Sequence, residues 1–406
     1  MRRKEARKQA VRPCPHLGRC GGCLDFLADH ESRCEELRSD LQERLRRVLG
    51  ASCPEIGWLH PVLPGPPRHF RNRLLYPLRP DREGRLQGGL FARNSHELVP
   101  IRRCEIQHGV LTKAALSILR LLRDRGVQAY DEGSGRGFAR SLEIRWMPST
   151  GEGLIVLATL GGRWPEGPAL AKDLLELPRP RGFHPVGVVR SLHDEPGNRH
   201  LGRRQVPLAG RDYLTDRVVF RDRELRFRIS AGSFYQSHLR ADRLLLDPVM
   251  DRIGELDGAR TADVFGGVGV FGLRMAAAGA REVHLFERNR TALRDARHNA
   301  ARNGFAGVFR FHGGGFGPPA VSDLPEGLDL CLCDPPRKGL GEEGIEVLRS
   351  KAPRRLVLVS CDPSSLCRDL PPLRARGYDL RALQAADLFP HSGRLELVAF
   401  LERGPR

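Results

Sequence analysis

From residue 258 onward the chain alternates short apolar runs with helical periods, and this rhythm constrains the fold more than any other feature. The runs at 261–265, 282–287, 328–333 and 355–361 read as strands. Helical patterns cover about 270–278 and 289–303, and another follows Pro363. Parallel neighbours in a sheet need a crossover between them, so the alternation predicts a doubly wound α/β sheet. Sheets of this kind take ligands at the carboxyl ends of their strands. The segments 378–388 and 394–401 read as extended and close the chain.

Three sites in this half carry chemistry. The turn after the first strand is Gly267-Val268-Gly269-Val270-Phe271-Gly272, a G-x-G-x-x-G pattern. Its glycines let backbone approach a ligand, and the following helix turns its N-terminus toward that ligand. Glu287 ends the next strand, where a carboxylate can accept both ribose hydroxyls of a nucleoside. NAD and S-adenosylmethionine both suit this pattern. Val359-Ser360-Cys361-Asp362-Pro363 places a cysteine between a strand and a helix that Pro363 opens. The positive backbone field there is expected to lower the thiol pKa and favour a nucleophile. Cys331, Cys333 and Cys367 read instead as packing cysteines.

The front of the chain differs in charge and in pattern. The 406 residues carry 67 Lys and Arg against 49 Asp and Glu, a net +18. Residues 1–230 hold 42 basic and 27 acidic residues, net +15, and residues 231–406 hold 25 and 22, net +3. A basic front half suits a polyanion. After a basic tail, 29–50 reads as a helix with Leu37, Leu41, Leu45 and Leu49 on one face. Five prolines mark 52–69 as a linker. Strands are expected at 70–79 and 85–92 as a hairpin, then at 142–146, 153–160, 186–192 and 225–229, with a helix at about 109–125. The chain divides into 1–50, 51–230 and 231–406.

No apolar run approaches the ~20 residues of a membrane span. The basic start has no apolar segment behind it, so no secretory signal is expected and the cytoplasm is the expected location. Cysteines there serve as thiols, nucleophiles or metal ligands. Cys14-x5-Cys20-x2-Cys23 offers three soft ligands, and either Cys34 or Cys104 could supply a fourth. Four thiolates suit zinc or an iron–sulfur cluster, and spacing alone does not choose.

Together these motifs resemble the S-adenosylmethionine-dependent RNA 5-methyluridine methyltransferases, over nearly the whole chain. Cys14-Pro15-His16-Leu17-Gly18-Arg19-Cys20-Gly21-Gly22-Cys23 resembles the [4Fe–4S] segment of the 23S rRNA branch. Ser95-His96-Glu97-Leu98-Val99-Pro100-Ile101-Arg102-Arg103-Cys104 resembles that branch's later stretch, whose final cysteine is the fourth ligand. The resemblance therefore implies Cys14, Cys20, Cys23 and Cys104 as cluster ligands. Phe70-Arg71-Asn72-Arg73 and Ser233-Phe234-Tyr235-Gln236 resemble the family's "YRNR" and "FFQ" segments. Asp263-Val264-Phe265-Gly266-Gly267-Val268-Gly269 resembles "DLYCGVG", and Asp334-Pro335-Pro336-Arg337-Lys338-Gly339 resembles "DPPRxG". Ser360-Cys361-Asp362-Pro363 resembles "SCNP", and the stretch from Leu388 to Glu396 resembles "MFPxTxHxE".

The resemblance implies Cys361 as nucleophile and Glu396 as base. It implies Gln236, Phe265, Gly267, Gly269, Glu287 and Asp334 as cofactor contacts. It further implies a Rossmann-like methyltransferase domain at 231–406, an iron–sulfur segment within 1–50 and a β-rich RNA-recognition domain at 51–230. The implied reaction is methyl transfer from S-adenosylmethionine to C5 of a flipped uridine by a monomer, on 23S rRNA by virtue of the cluster, with tRNA as the alternative. Arg71, Arg73, Arg79, Arg102 and Arg103 are candidate phosphate contacts. Three departures stand out: Asp362 replaces an asparagine, His238 replaces the asparagine after "FFQ", and Gly314 stands where an acid or amide is expected. The family's added TRAM barrel has no counterpart. An NAD-dependent iron–sulfur oxidoreductase and a non-catalytic RNA-binding protein are the competing readings.

Overall fold

The computed structural model describes residues 14–24, 29–62, 67–195 and 199–404. The basic tail at 1–13 lies outside these described residues. The carboxyl-terminal half folds around an eight-stranded sheet. From one edge its strands are Phe309–Gly313, Glu282–Glu287, Arg260–Val264, Leu330–Cys333, Arg355–Ser360, Glu396–Arg403, Tyr378–Ala386 and Ile56–Trp58. The strand order reverses between Arg260–Val264 and Leu330–Cys333, which opens a crevice at their carboxyl ends. This is the expected α/β sheet with a Rossmann-like centre.

Two features differ from a purely parallel sheet. Glu396–Arg403 runs antiparallel to both neighbours, because a short loop joins it to Tyr378–Ala386 and a short loop permits only a hairpin. Ile56–Trp58, from the proline-rich stretch, pairs parallel with Tyr378–Ala386 and extends the far edge. The helix His30–Leu49 packs on the same layer. Its Leu41, Leu45 and Leu49 are buried against a core that includes Leu366, Leu370 and Leu383.

The central module is a second, seven-stranded sheet in the order Leu98–Pro100, Leu86–Phe91, Arg73–Pro80, Ala139–Met147, Glu152–Thr159, His184–Leu192, Arg204–Gly210. Its neighbours are antiparallel except Glu152–Thr159 and His184–Leu192, which the helix Gly167–Glu176 connects as a crossover. The helix Gly109–Asp124 covers one face through Leu111, Ala115, Ile118 and Leu122. A separate hairpin, Tyr213–Phe220 with Arg223–Ser230, leads into the catalytic half. No helix among the described residues is long and apolar enough to cross a membrane.

The hinge between the sheets is a clamp on 230–237. Arg145 donates to the carbonyls of Ser230 (3.3 Å) and Ser233 (2.6 Å) from the central sheet. Asp295, on the helix Arg290–Arg302, accepts from the Ser230 amide and from the hydroxyls of Ser230 and Ser233. The backbone N–H of Asn72 donates to the Ser237 carbonyl. The segment carrying Phe234 and Gln236 is thus held from both sides.

Candidate active site

The sheet's switch point opens into a broad cleft. Its walls include Gln236, Phe265, Gly267, Glu287, Asp334, Cys361 and Glu396. Six separate segments of sequence therefore converge on one space. Gly269 does not line the cleft; it caps the helix Val270–Ala277 with φ +89° and sets the turn from behind.

The glycine turn is shaped by the strand beneath it. Asp263 is buried, and its Oδ2 accepts from the Gly272 amide at 2.7 Å. A Cβ on Gly272 would lie 2.9 Å from that oxygen and 3.0 Å from the Phe309 ring. The third glycine of the pattern therefore serves packing. Phe265 has φ +63°, a conformation uncommon for a non-glycine residue and concentrated at functional sites. Glu287 accepts from the Gly267 amide (3.0 Å) and the Asn289 amide (2.6 Å), which fixes its carboxylate at the cleft wall. Gly314 and Gly315 line the same wall, and a Cβ on either meets nothing within 4 Å. The third strand thus offers the cleft no hydrogen-bonding side chain there.

Opposite lie the reactive groups. Burial pushes the Asp334 carboxyl up to about 7. Burial, then the nearby Asp334, push Glu396 well above the ordinary carboxylate range. The Glu396 side chain is 4% exposed, and its strand begins where the loop from Leu388 ends. Asp334 is no helix cap: the next helix, Gly341–Lys351, starts well downstream with Leu340 at its N-cap. Cys361 departs from expectation. It does sit between the strand Arg355–Ser360 and the helix Pro363–Arg374. Its thiol pKa is nonetheless raised, by burial first and then by Glu396, against a lowering by Arg337, with Asp334 adding a smaller push upward. Two carboxyl groups and lost hydration outweigh the backbone field.

Sequence reasoning left several wall residues without a role. Phe234 is 61% exposed at the cleft, an unusual position for a large apolar ring. Phe286, Phe316 and Arg337 line the cleft as well. The proposed phosphate contacts are mostly engaged: Arg73 pairs with Glu143, Arg79 with Glu132 and Arg103 with Glu105. Arg102 is exposed. Arg71 lines the cleft, its Nε is buried without a hydrogen-bond partner, and its charge acts on Cys23 and Cys104.

The structure brings Cys14, Cys20, Cys23 and Cys104 around one small apolar cavity, walled by Leu17, Leu90, Ile101 and Ile106. All four are free thiols. Burial, reinforced by the other three sulfurs, pushes the Cys23 thiol up to about 12. Among the described residues no three of these sulfurs lie within 4.8 Å of one another. A single tetrahedral zinc needs sulfurs ~3.8 Å apart, from bonds of about 2.3 Å. The wider spacing of the four sulfurs suits a multi-metal group better than one zinc ion. Cys34 stands elsewhere, beside His30 and Asp387.

No family model matches the chain. An uncharacterised RNA methyltransferase of Halalkalibacterium halodurans is 32% identical over 397 residues, 96% of this chain and 83% of the relative. The chain belongs to this RNA methyltransferase family. An uncharacterised RNA methyltransferase of Gloeobacter violaceus is likewise 32% identical, over 96% of this chain and 82% of its own length. Among solved structures, the Pyrococcus abyssi tRNA (uracil-54, C5)-methyltransferase in complex with S-adenosyl-L-homocysteine superposes with a TM-score of 0.67 at 22% identity. That match covers 90% of this methyltransferase and 83% of the archaeal chain, and it establishes a common fold.

Proposed function

We propose that this RNA methyltransferase moves a methyl group from S-adenosylmethionine to C5 of a uridine in RNA, with 23S rRNA as substrate. The observation that carries the reading is the meeting of Cys361, Asp334 and Glu396 in the cleft that the glycine turn and Glu287 wall. S-adenosylmethionine supplies an electrophilic methyl on a sulfonium. Glu287 would hold its ribose hydroxyls, Phe265 and Gln236 would orient it, and Gly267 would leave room for its backbone approach. The donor set fits: a fixed carboxylate, a glycine turn at a helix N-terminus and flanking aromatic rings.

C5 of uracil is a weak nucleophile. Cys361 adds to C6 as its thiol proton passes by way of Asp334 to solvent, leaving Glu396 ionised, and the resulting enolate carries electron density at C5. C5 then takes the methyl group. Glu396 removes the C5 proton, the C5–C6 double bond re-forms and the Cys361 sulfur leaves. Raised carboxyl values suit this role, since a base works best near ambient pH. The target base must leave its stack to reach the cleft, which favours single-stranded loops or bulges. The exposed Phe234 ring would stack on the extruded base.

Residues 231–406 then perform catalysis and 51–230 grip RNA. Cys14, Cys20, Cys23 and Cys104 hold a [4Fe–4S] cluster that supplies structure, pinning the front segment to the central sheet. Release of tritium from uridine-C5-labelled RNA, with unmodified 23S rRNA and tRNA in parallel, tests the reading. Cofactor-dependent release from 23S rRNA is expected. Release from tRNA alone would reassign the substrate, and release from neither would reject the reaction.

A further inference from the structure

A second cluster of metal-binding side chains lies away from the cysteine cavity. His30 opens the helix His30–Leu49, and Cys34 lies one turn on, on the same face. Asp387 follows the strand Tyr378–Ala386. His30 Nε2 stands 2.8 Å from an Asp387 carboxylate oxygen. Cys34 Sγ lies 3.5 Å from that nitrogen and 3.8 Å from that oxygen. The three residues are 6%, 2% and 7% exposed. Among the described residues this is the only trio of His, Cys, Asp or Glu whose donor atoms all fall within 4.8 Å.

The triangle has the dimensions of a zinc site. Bonds of about 2.3 Å to sulfur and about 2.0 Å to nitrogen and oxygen, at tetrahedral angles, separate the donors by about 3.3–3.6 Å. The sulfur–nitrogen edge already matches, and the sulfur–oxygen edge is about 0.2 Å too long. The nitrogen–oxygen edge needs to open by roughly 0.5 Å as the ion replaces the hydrogen between them.

A fourth donor stands nearby. The register of Ile56–Trp58 against Tyr378–Ala386 carries His60 past the end of its strand alongside Asp387, and Asp387 acts electrostatically on its ring. His60 Nδ1 lies 2.7 Å from the Pro61 carbonyl oxygen, so Nδ1 carries the hydrogen and Nε2 presents a lone pair. That Nε2 is buried with no hydrogen-bond partner, in a ring 9% exposed. An imidazole fixed through Nδ1 to a backbone carbonyl is the usual second-sphere arrangement of a ligating histidine.

We propose that His30, Cys34 and Asp387 bind one zinc-class divalent cation, with His60 Nε2 available for the fourth position. Soft thiolate, imidazole and carboxylate together suit zinc better than magnesium or calcium. The ion ties the first helix to the loop that leads from Asp387 to Glu396, and its role is structural.

The test uses the full chain with its iron content measured in parallel. Cobalt(II), a spectroscopic substitute for zinc, is titrated in and the absorption recorded. One equivalent per chain is expected to give a thiolate-to-cobalt charge-transfer band with intense tetrahedral ligand-field bands. The band is expected to vanish in Cys34→Ser, to persist in Cys104→Ser and to shift in His60→Gln. Should Cys34→Ser lose its helical circular dichroism, Asp387→Asn serves in its place and must weaken cobalt binding. No thiolate band in the unmutated protein at saturating cobalt overturns the proposal. So does a band that survives Cys34→Ser or disappears only in Cys104→Ser.

Discussion

Glu143 and Glu396 are both buried glutamates, one in each sheet, and the protein treats them oppositely. Glu143 is fully covered in the strand Ala139–Met147. Burial pushes its carboxyl up, but the Arg145 and Arg73 guanidinium groups outweigh burial and hold it below the ordinary range. Among the described residues no guanidinium pairs with Glu396; burial and Asp334 push it upward. The paired glutamate is settled as an anion and braces the clamp through Arg145. The unpaired one is raised by burial and by Asp334, so it holds its proton more tightly than an ordinary carboxyl, which suits it to proton transfer. Strain of this kind at a functional site is expected to cost stability.

Predictions follow the depth of this contrast. Cys361→Ala removes the bond-forming atom, so kcat/KM for methyl transfer is expected to fall by about 10⁴-fold or more, read by tritium release. Glu396→Gln should lower turnover by about 10²–10⁴-fold. It should also raise the melting temperature at pH 8 more than at pH 5. The sign follows from linkage: a carboxyl raised in the folded state contributes fully below its unfolded value near 4.3 and loses that contribution as pH climbs through the raised value. The wild type bears that loss at pH 8, and the glutamine does not. An unchanged or lowered melting temperature at pH 8 would erase the contrast.

Glu143→Ala should do the reverse. It strands two guanidinium groups and is expected to cost about 3–5 kcal/mol in denaturant unfolding. Its depressed carboxyl contributes stability above the usual carboxylate range and loses it only as pH falls through the depressed value. Next in size is the pH profile. Cys361, Asp334 and Glu396 are all raised, so kcat/KM is expected to climb with pH through about 7 rather than stay flat. The smallest effect belongs to the exposed Arg337 at the cleft. Arg337→Ala should weaken RNA binding modestly and reduce the salt slope by ~0.7, one phosphate on a single strand.

The two sheets also differ in how far their sequence betrays them. The carboxyl-terminal alternation is local: each strand ends in a motif and a helix begins within a few residues. The strand Arg260–Val264, its glycine turn and Glu287 could be placed from that rhythm alone. The central sheet is legible strand by strand but not as a whole. Leu142, Ile144 and Trp146 alternate with Ser141, Glu143 and Arg145, so a strand is expected at 142–146. The burial of every residue of Ala139–Met147, charged ones included, comes only from the sheet's cover. The crossover helix Gly167–Glu176 opens with glycine and proline, which read as a turn. Ile56–Trp58 is three residues long and gains its place only by pairing far along the chain.

The site was legible to a similar degree. Residue types at strand ends pointed to Cys361, Glu287 and the glycine turn. Glu396 and Cys104 rested on family resemblance, because no local pattern joins them to their partners. The direction of the Cys361 shift was misjudged, since the backbone field is local while the burial and the two carboxyl groups that oppose it are products of the fold. Cys34 could be set aside from the cysteine cavity, but nothing before Asp387 came into place showed what it joins.

The central claim is that Cys361 bonds to the RNA base it prepares for methylation. The Glu396→Gln protein, incubated with uridine-containing RNA and S-adenosylmethionine, should trap the methylated base on the enzyme because the C5 proton cannot leave. After nuclease and protease digestion, mass spectrometry is expected to find a methylated uridine nucleotide on the peptide that contains Cys361. Methylated RNA formed without any such adduct, and formed equally by Cys361→Ala, would contradict the account.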